Sequence, residues 1–175
     1  MEVQESSVWD TAGNAISTPI QALRFDPRAD ASPIEAGETV HFLEALEAAP
    51  KDSVGAIEFQ FEEFGAEGGK AVARAFKVQR NITKVCLQRT NLGAEGAEAI
   101  AEMLKANGSL KDISLLQNAI GDQGAEAIAK ALKSNNSIAK IDLRDNEIFS
   151  QGAEALWKVV AEKKAQGLDL EILGI

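Results

Sequence analysis

Hydrophobic positions recur along this chain with a step of 28 residues between Val54 and Gly167. In each unit, aliphatic or aromatic residues stand at the first, fourth and sixth positions. These sets are Val54, Ile57 and Phe59; Ile82, Val85 and Leu87; Leu110, Ile113 and Leu115; and Ile138, Ile141 and Leu143. Such a period is typical of a repeat array, in which one unit cannot bury its apolar face alone and stacks on its neighbour. The pattern therefore predicts four repeats of 28–30 residues over 54–167.

Each unit is predicted to contain a short strand followed by a helix, which gives an α/β fold. In the second unit, strand alternation points Val85 and Leu87 inward, whereas Lys84, Cys86 and Gln88 point outward. The helix that follows has one apolar stripe at helical spacing, with charged residues on the other side. That stripe consists of Ala97, Ile100, Ala101 and Leu104.

A degenerate copy of the repeat precedes the array. Ile20, Leu23 and Phe25 have the same spacing as the strand residues of the regular units, and a turn-rich loop and a helical stretch follow them. Residues 18–53 are therefore predicted to form an N-terminal capping repeat, because an array needs an atypical unit over its open end. Residues 1–17 are polar and are predicted to form a loose arm, in which Trp9 is the large apolar residue.

The C-terminal end departs from the repeat in two ways. Trp157 stands where the three earlier units have alanine, so we expect its ring to fill the end of the stack. Leu170, Leu173 and Ile175 repeat the strand spacing 32 positions after Ile138, which predicts a last helix about one turn longer. Residues 168–175 are predicted to form an edge strand. Three explanations for the open edge of this strand are left: its acidic residues disfavour pairing with another strand, a partner strand covers it, or more chain follows it.

Composition and charge narrow the classes of partner. The chain has 45% hydrophobic and 26% charged residues, which is typical of a globular protein. Its net charge of -9 is concentrated in residues 1–53, where ten Asp or Glu face three bases. An acidic surface repels phosphate groups, so nucleic acid and anionic membranes are not expected as partners. A basic protein partner for the N-terminal part fits this charge.

The sequence carries weak signals about the compartment. No apolar run approaches the roughly 18 residues of a membrane-spanning helix, and the first residues do not have the pattern of a signal peptide. A single cysteine excludes an internal disulfide and favours a reducing, cytoplasmic compartment. An organelle is the alternative if a transit peptide has been removed.

The repeat resembles the leucine-rich repeats of the ribonuclease-inhibitor class. The pattern L-x-x-L-x-L-x-x-N-x-(L/I)-G-x-x-G-A-x-A-I-A-x-x-L is carried by Leu110, Ile113, Leu115, Asn118, Ile120, Gly121, Gly124, Ala125, Ala127, Ile128, Ala129 and Leu132. The resemblance implies a right-handed horseshoe with a parallel sheet on the concave side and helices on the convex side. It also implies an asparagine ladder through Asn118 and Asn146, with Thr90 and Glu62 at the equivalent positions of the two preceding units.

The residues do not predict catalysis, a cofactor or a metal site. His41, the one histidine, and Cys86 lie in separate repeat layers, too far apart for a thiol–imidazole pair. Glu58 and Asp142 are three strands apart, roughly 14 Å, which is too far for paired carboxylates. The recurring GAEG sequence lacks the Lys-Ser or Lys-Thr of a phosphate-binding loop, so it is interpreted as the start of a helix.

The expected functional feature is a protein-binding surface made of residues that point outward from the strands. Solenoids use such extended concave faces for partners. The candidate residues are Trp9 in the arm; Glu58, Cys86, Ser114 and Asp142; Gln60, Gln88, Leu116 and Arg144; and, at the strand ends, Phe61, Arg89, Gln117 and Asp145.

Three functions remain open at this point. The first is a protein-binding module that uses the concave sheet or the N-terminal arm. The second is a structural subunit built permanently into a larger complex, through Trp9, the acidic first unit and the C-terminal strand edge. The third is a GTPase activator, because one branch of the resembling class has that activity. The array here is short and lacks the strongly acidic tail of such activators, which disfavours this function.

Overall fold

The computed structural model describes residues 23–25, 56–60, 65–78, 80 and 82–175, with the backbone alone for 23–25, 56–60 and 78. Within these residues, six strands form one sheet in sequential order, and four helices connect or follow them. The strands are β1 (Leu23–Phe25), β2 (Ala56–Gln60), β3 (Lys84–Gln88), β4 (Asp112–Ser114), β5 (Lys140–Asp142) and β6 (Glu171–Leu173). The helices are α1 (Gly65–Val78), α2 (Gly93–Ala106), α3 (Gly121–Ser134) and α4 (Ser150–Ala165). The predicted arm (1–17), with Trp9, and most of the capping repeat (18–53) lie outside the described residues.

All neighbouring strands pair in parallel, and the 28-residue step sets the register from β2 to β5. Val85 pairs with Ile113, and Ile113 pairs with Ile141. Towards the N-terminus, Ile57 pairs with Val85, and Leu23 pairs with Ile57. The predicted α/β solenoid with a parallel sheet is therefore confirmed, and Leu23 aligns with the regular units as its spacing predicted.

The core lies between the sheet and the helices. Strand residues that were predicted to point inward, such as Val85, Leu87 and Ile113, are fully buried. The apolar stripe of α2 belongs to the same core, and its members Ala97, Ile100, Ala101 and Leu104 are at most 1% exposed. Burial of this aliphatic surface, layer on layer, is the main stabilising contribution in a solenoid of this kind.

Small residues let the helices of adjacent layers lie close together. A Cβ atom built on Gly124, in the first turn of α3, would lie only 2.8 Å from the Ala97 Cβ of α2, and it would also clash with Ile120 of its own unit. Gly152 of α4 is similarly close, since its Cβ would lie 2.9 Å from the Ala125 Cβ. Glycine at this position is therefore a packing requirement between layers.

We expect Gly124→Ala to destabilise the protein by about 1–2 kcal/mol. Overpacking costs about 1–3 kcal/mol, and the better helix propensity of alanine offsets up to ~1 kcal/mol of it. Gly108→Ala is the matched control, because a Cβ on Gly108 would meet no atom within 4 Å. Urea unfolding monitored by circular dichroism measures both variants. Equal stability of the two would contradict the close approach of α2 and α3.

The asparagine ladder implied by the family resemblance is present. Asn118 is 1% exposed, and its Oδ1 accepts hydrogen bonds from the backbone N–H groups of Thr90 (3.0 Å) and Leu92 (3.2 Å). Its Nδ2 donates to the carbonyl oxygens of Leu87 and Leu115. Asn146 makes the equivalent bonds one layer on. The side chains thereby satisfy backbone groups that the turn would otherwise leave buried and unpaired.

A second ladder, which we did not predict, links the helix ends. Asn107 donates from Nδ2 to the Phe76 carbonyl (3.0 Å) and accepts from the Leu110 N–H (2.9 Å). Asn135 repeats this arrangement 28 residues later, with its Nδ2 2.6 Å from the Leu104 carbonyl. In the last unit Lys163 takes the place of asparagine and donates to the Lys133 carbonyl at 3.2 Å. The signal in the sequence was the recurring N-x-S followed by leucine or isoleucine.

The register predicted for the last strand was wrong by one residue. We expected Leu173 to align with Ile141, whereas Ile172 pairs with Ile141 and Leu173 pairs with Asp142. The cause is the end of α4, where Gly167 adopts a left-handed φ of 75° and Leu168 N–H donates to the Lys163 carbonyl. This glycine-terminated cap ends α4 three residues beyond the position equivalent to the end of α3, whereas the predicted full turn would have added four.

Candidate protein-binding surface

The sheet side opposite the helices is the candidate surface, called here the concave face. Strand alternation puts onto this face every second strand residue, and the described side chains form rows across β3 to β6. These are Lys84, Asp112, Lys140 and Glu171; Cys86, Ser114, Asp142 and Leu173; and Gln88, Leu116 and Arg144. A further row of Arg89, Gln117 and Asp145 follows the strands directly. Phe61 and the side chains of Glu58 and Gln60 lie outside the described residues.

The first row of the concave face alternates in charge. Lys84 Nζ lies 3.7 Å from Asp112 Oδ2, and Lys140 Nζ lies 3.2 Å from Glu171 Oε2. Both pairs are solvent-exposed, so each contributes little to stability. Their effect is to neutralise this edge of the face. Glu171, one of the acidic residues of the last strand, pairs with Lys140 of the neighbouring strand.

The second row is more covered than the sequence indicated. We expected Cys86 and Asp142 to be available to a partner, yet they are only 6% and 7% exposed. Cys86 lies on β3, where it pairs in register with Glu58 of β2 and Ser114 of β4, so its strand has a neighbour on both sides. Asp142 is covered because Arg144 folds over it. These two residues therefore offer little contact area, and their part in partner binding stays a prediction.

Asp142 and Arg144 form a paired unit on the concave face. Arg144 Nε and Nη2 donate to the two carboxylate oxygens at 2.9 and 2.6 Å, and the Arg144 N–H also donates to Asp142 Oδ1. The side-chain hydrogen bond from Arg144 lowers the pKa of Asp142, against the opposing effect of burial. The pair holds the guanidinium plane in place at the surface, where the Arg144 side chain is 56% exposed.

We expect Asp142→Asn to lower the free energy of unfolding by about 1 kcal/mol near neutral pH, because it removes a charge-assisted hydrogen bond. The folded-state pKa of Asp142 is depressed. Its carboxylate therefore stabilises the fold above the ordinary aspartate pKa, and this contribution is lost as the pH falls through the depressed value. Urea unfolding of both proteins at about pH 7 and about pH 3 measures the effect. A difference that does not shrink at the lower pH would contradict the pairing.

The third row contains a partly accessible apolar residue. Leu116 is half-buried, in contrast to Leu115 beside it in sequence, which is fully buried. Arg144 lies in the same row one layer on. Leu173, in the second row, is also half-buried. Gln88 Nε2 donates to Ser114 Oγ at 3.3 Å, which fixes the polar side chains on the other flank. An apolar centre with a held arginine beside it is typical of protein interfaces.

The row after the strands is a hydrogen-bonded chain of side chains. Arg89 Nε donates to Gln117 Oε1, and Gln117 Nε2 donates to Asp145 Oδ2 at 3.3 Å. All three residues have a left-handed backbone, with φ of 55°, 56° and 56°. Non-glycine residues adopt this conformation at a cost. Here the ladder asparagines that follow the strands hold the backbone, so the row is kept in one arrangement across three layers.

The described residues contain neither a cluster of metal-binding side chains nor a membrane-spanning helix. No group of three or more His, Cys, Asp or Glu side chains in this part of the chain could hold a metal ion. None of the described helices combines the length and the apolar character that crossing a membrane requires.

Comparison with known proteins agrees with this architecture. The family model described as Leucine Rich repeat matches residues 78–101 and 106–129. No curated protein matches the chain. Among solved structures, "Leiomodin-1 Actin-Binding Site 2 (ABS2)" is similar with a TM-score of 0.62 and 20% identity, over 82% of this chain and 83% of that one. The tropomodulin C-terminal domain of Caenorhabditis elegans is similar at 12% identity with a TM-score of 0.38, over 76% of this chain and 98% of that one.

Proposed function

We propose that this leucine-rich repeat protein is a non-enzymatic binding module that holds another protein on its concave face. The observation that carries the proposal is the third row, where the half-buried Leu116 lies beside an arginine fixed by Asp142. Arginine is enriched at interface hot spots, and its prior fixation lowers the conformational entropy that a partner's binding would cost.

The electrostatics of the face favour a partner of mixed character over a purely basic one. The first row is neutralised by its own ion pairs. The row after the strands runs from the basic Arg89 through Gln117 to the acidic Asp145. A partner that fits would bring an apolar side chain to Leu116 and an acceptor group to Arg144. A basic partner remains the proposal for residues 1–53 alone, where the negative charge is concentrated.

We further propose that the repeats belong to the ribonuclease-inhibitor class. The support is the constant step of 28 residues, in which a strand of three to five residues alternates with a helix of 14 residues in α1, α2 and α3. On this basis residues 54–167 are the repeat array, residues 18–53 are its N-terminal capping repeat and residues 168–175 are the C-terminal edge strand.

Leu116→Asp tests the binding surface. Immobilised wild-type protein is compared with this variant for capture of proteins from native extract, quantified by mass spectrometry. Lys130→Gln on the exposed side of α3 is the control, because it changes the net charge by the same amount on the opposite side of the molecule. We expect at least one protein to be captured by wild type and by the control and lost with Leu116→Asp. Identical capture by all three would contradict the proposal.

Actin filaments provide a defined bait for the same comparison. The solved Leiomodin-1 domain is titled as an actin-binding site, although likeness at this identity shows the fold alone. Cosedimentation that is lost with Leu116→Asp and kept with Lys130→Gln would identify actin as a partner of the concave face. Absence of cosedimentation by the wild type would exclude actin and leave the extract experiment to decide.

A further inference from the structure

The C-terminal end of the solenoid exposes large hydrophobic side chains. Among the described residues, Phe149 and Trp157 are the exposed large hydrophobic ones, at 69% and 55%. Trp157 takes the position that Ala101 and Ala129 hold in the two preceding units, where the alanines are only 1% and 2% exposed. The exposed side of α4 that carries Trp157 is called here the end face. It corresponds to a helix position that is a buried alanine in α2 and α3.

The start of α4 is capped differently from the starts of α2 and α3. In α2 and α3 the first N–H donates to the carbonyl of the ladder residue one layer on, as Gly93 does to Asn118 at 2.9 Å. At the start of α4, the N–H groups of Phe149 and Gly152 donate instead to Asp122 Oδ1 of the preceding layer, at 2.8 and 2.9 Å. The start of α4 is thus capped from within the array.

We propose that the end face binds a second copy of this chain, with the two α4 helices antiparallel about a two-fold axis. Trp157 is the eighth of the sixteen residues of α4, so an axis at the middle of the helix brings both tryptophans to the centre. Ala153 and Ala161 lie one turn before and one turn after it. In an antiparallel pair each ring lies over these small residues of the other copy. A self-complementary patch of this kind is what a two-fold interface requires.

The charges along α4 are complementary to themselves in the same orientation. Glu154 lies in the first half of the helix, whereas Lys158 and Lys164 lie in the second half, and all three are exposed. An antiparallel pair places each Glu154 between Lys158 and Lys164 of the other copy, because residues at equal distances from the axis face each other. Lys163 of the same helix is buried and donates to the preceding layer, so Lys158 and Lys164 balance Glu154 and the half-buried Glu162. The accessible side of α4 is therefore close to neutral in a chain of net charge -9, and two acidic molecules can approach there.

The size of the end face predicts a weak, reversible dimer. A helix of sixteen residues is about 24 Å long, and the depth from helix to sheet is roughly 20 Å. Each copy would then bury roughly 500 Å², near the lower limit for a specific interface. We accordingly expect dissociation in the micromolar range, around two central tryptophans.

Light scattering across a concentration series tests the proposal on the full chain. We expect the mass to rise from 18.6 kDa towards twice that value between low and high micromolar concentration. Trp157→Ala restores the residue of the other units and should weaken the dimer by about 30-fold or more, since it removes both central side chains. Unchanged circular dichroism and an unchanged urea midpoint would show that the variant is folded. A wild-type monomer throughout, or a dimer that Trp157→Ala does not weaken, would overturn the proposal.

A charge exchange tests the antiparallel geometry independently of apolar contact. Glu154→Lys alone should weaken the dimer by roughly 3-fold to 10-fold, because it places like charges together across the axis. The combined variant Glu154→Lys, Lys158→Glu and Lys164→Glu restores the pairing in reverse and should recover the affinity. Failure to recover, with the fold intact, would contradict the two-fold α4 pair. The concave face lies on a different side of the molecule, so Leu116→Asp should leave the dimer unchanged.

Discussion

Leu115→Asp is expected to unfold the protein or to lower its free energy of unfolding by more than about 4 kcal/mol. Leu115 is fully buried between the sheet and the helices, where an ionised carboxylate would have no partner. Typical domains have only about 5–15 kcal/mol of stability, so one buried charge removes much of it. Urea unfolding followed by circular dichroism measures the loss. The substitution is expected to lower stability without changing the concave face directly, because the Leu115 side chain does not reach that face.

Leu116→Asp is the matched control for this prediction, since it makes the same chemical change one residue further along. Leu116 is half-buried on the opposite side of the strand, in the row that contains Arg144. We expect its unfolding free energy to stay within about 1 kcal/mol of wild type. Equal destabilisation by the two substitutions would mean that the assignment of inner and outer strand faces is wrong.

Asn118→Leu is expected to destabilise the protein by about 3–5 kcal/mol. The leucine fills a similar volume but cannot pair with the backbone groups that Asn118 bridges. These include the N–H groups of Thr90 and Leu92 and the carbonyl oxygens of Leu87 and Leu115. Each buried polar group left without a partner costs about 1–3 kcal/mol, and some relaxation will reduce the sum. Thermal and urea unfolding both report this loss.

Asn118→Thr should be milder, at about 1–3 kcal/mol, because the chain already uses threonine at this position one layer earlier. The Thr90 hydroxyl lies 3.2 Å from the Leu87 carbonyl, so threonine can satisfy a carbonyl within its own unit. It is too short to reach the preceding layer as Asn118 does. A threonine variant as unstable as the leucine variant would show that the contacts between layers, and not those within the unit, account for the whole effect.

The regular part of the fold could be predicted from the sequence because one physical requirement repeats. Every unit must bury its strand residues against the next, and a step of 28 residues keeps Val85, Ile113 and Ile141 in line. The C-terminal end of the array is not constrained by this repeated requirement. The length of α4 depends on where Gly167 ends the helix, and this local choice shifted the last strand by one residue from the predicted register.

The sequence could predict which residues lie on the concave face, but not how exposed each of them is. Alternation along the strands gives the side on which a residue lies, and it placed Cys86 and Asp142 on the concave face. Their burial depends on neighbouring strands and on the bidentate pair with Arg144, which the sequence pattern does not contain. The ladder through Asn107 and Asn135 was missed for a different reason. Its N-x-S signal is short, and it lies outside the aliphatic positions from which the repeat was predicted.

Nuclear Overhauser contacts between strands provide the most direct test that the layers stack in one parallel sheet. In isotope-labelled protein, strands about 4.8 Å apart should give backbone contacts in a parallel pattern. We predict these contacts from Val85 to Ile113, from Ile113 to Ile141, and from Ile141 to Ile172. Contacts between other residues of these strands, or an antiparallel pattern, would contradict the stacking from which both proposed surfaces are derived.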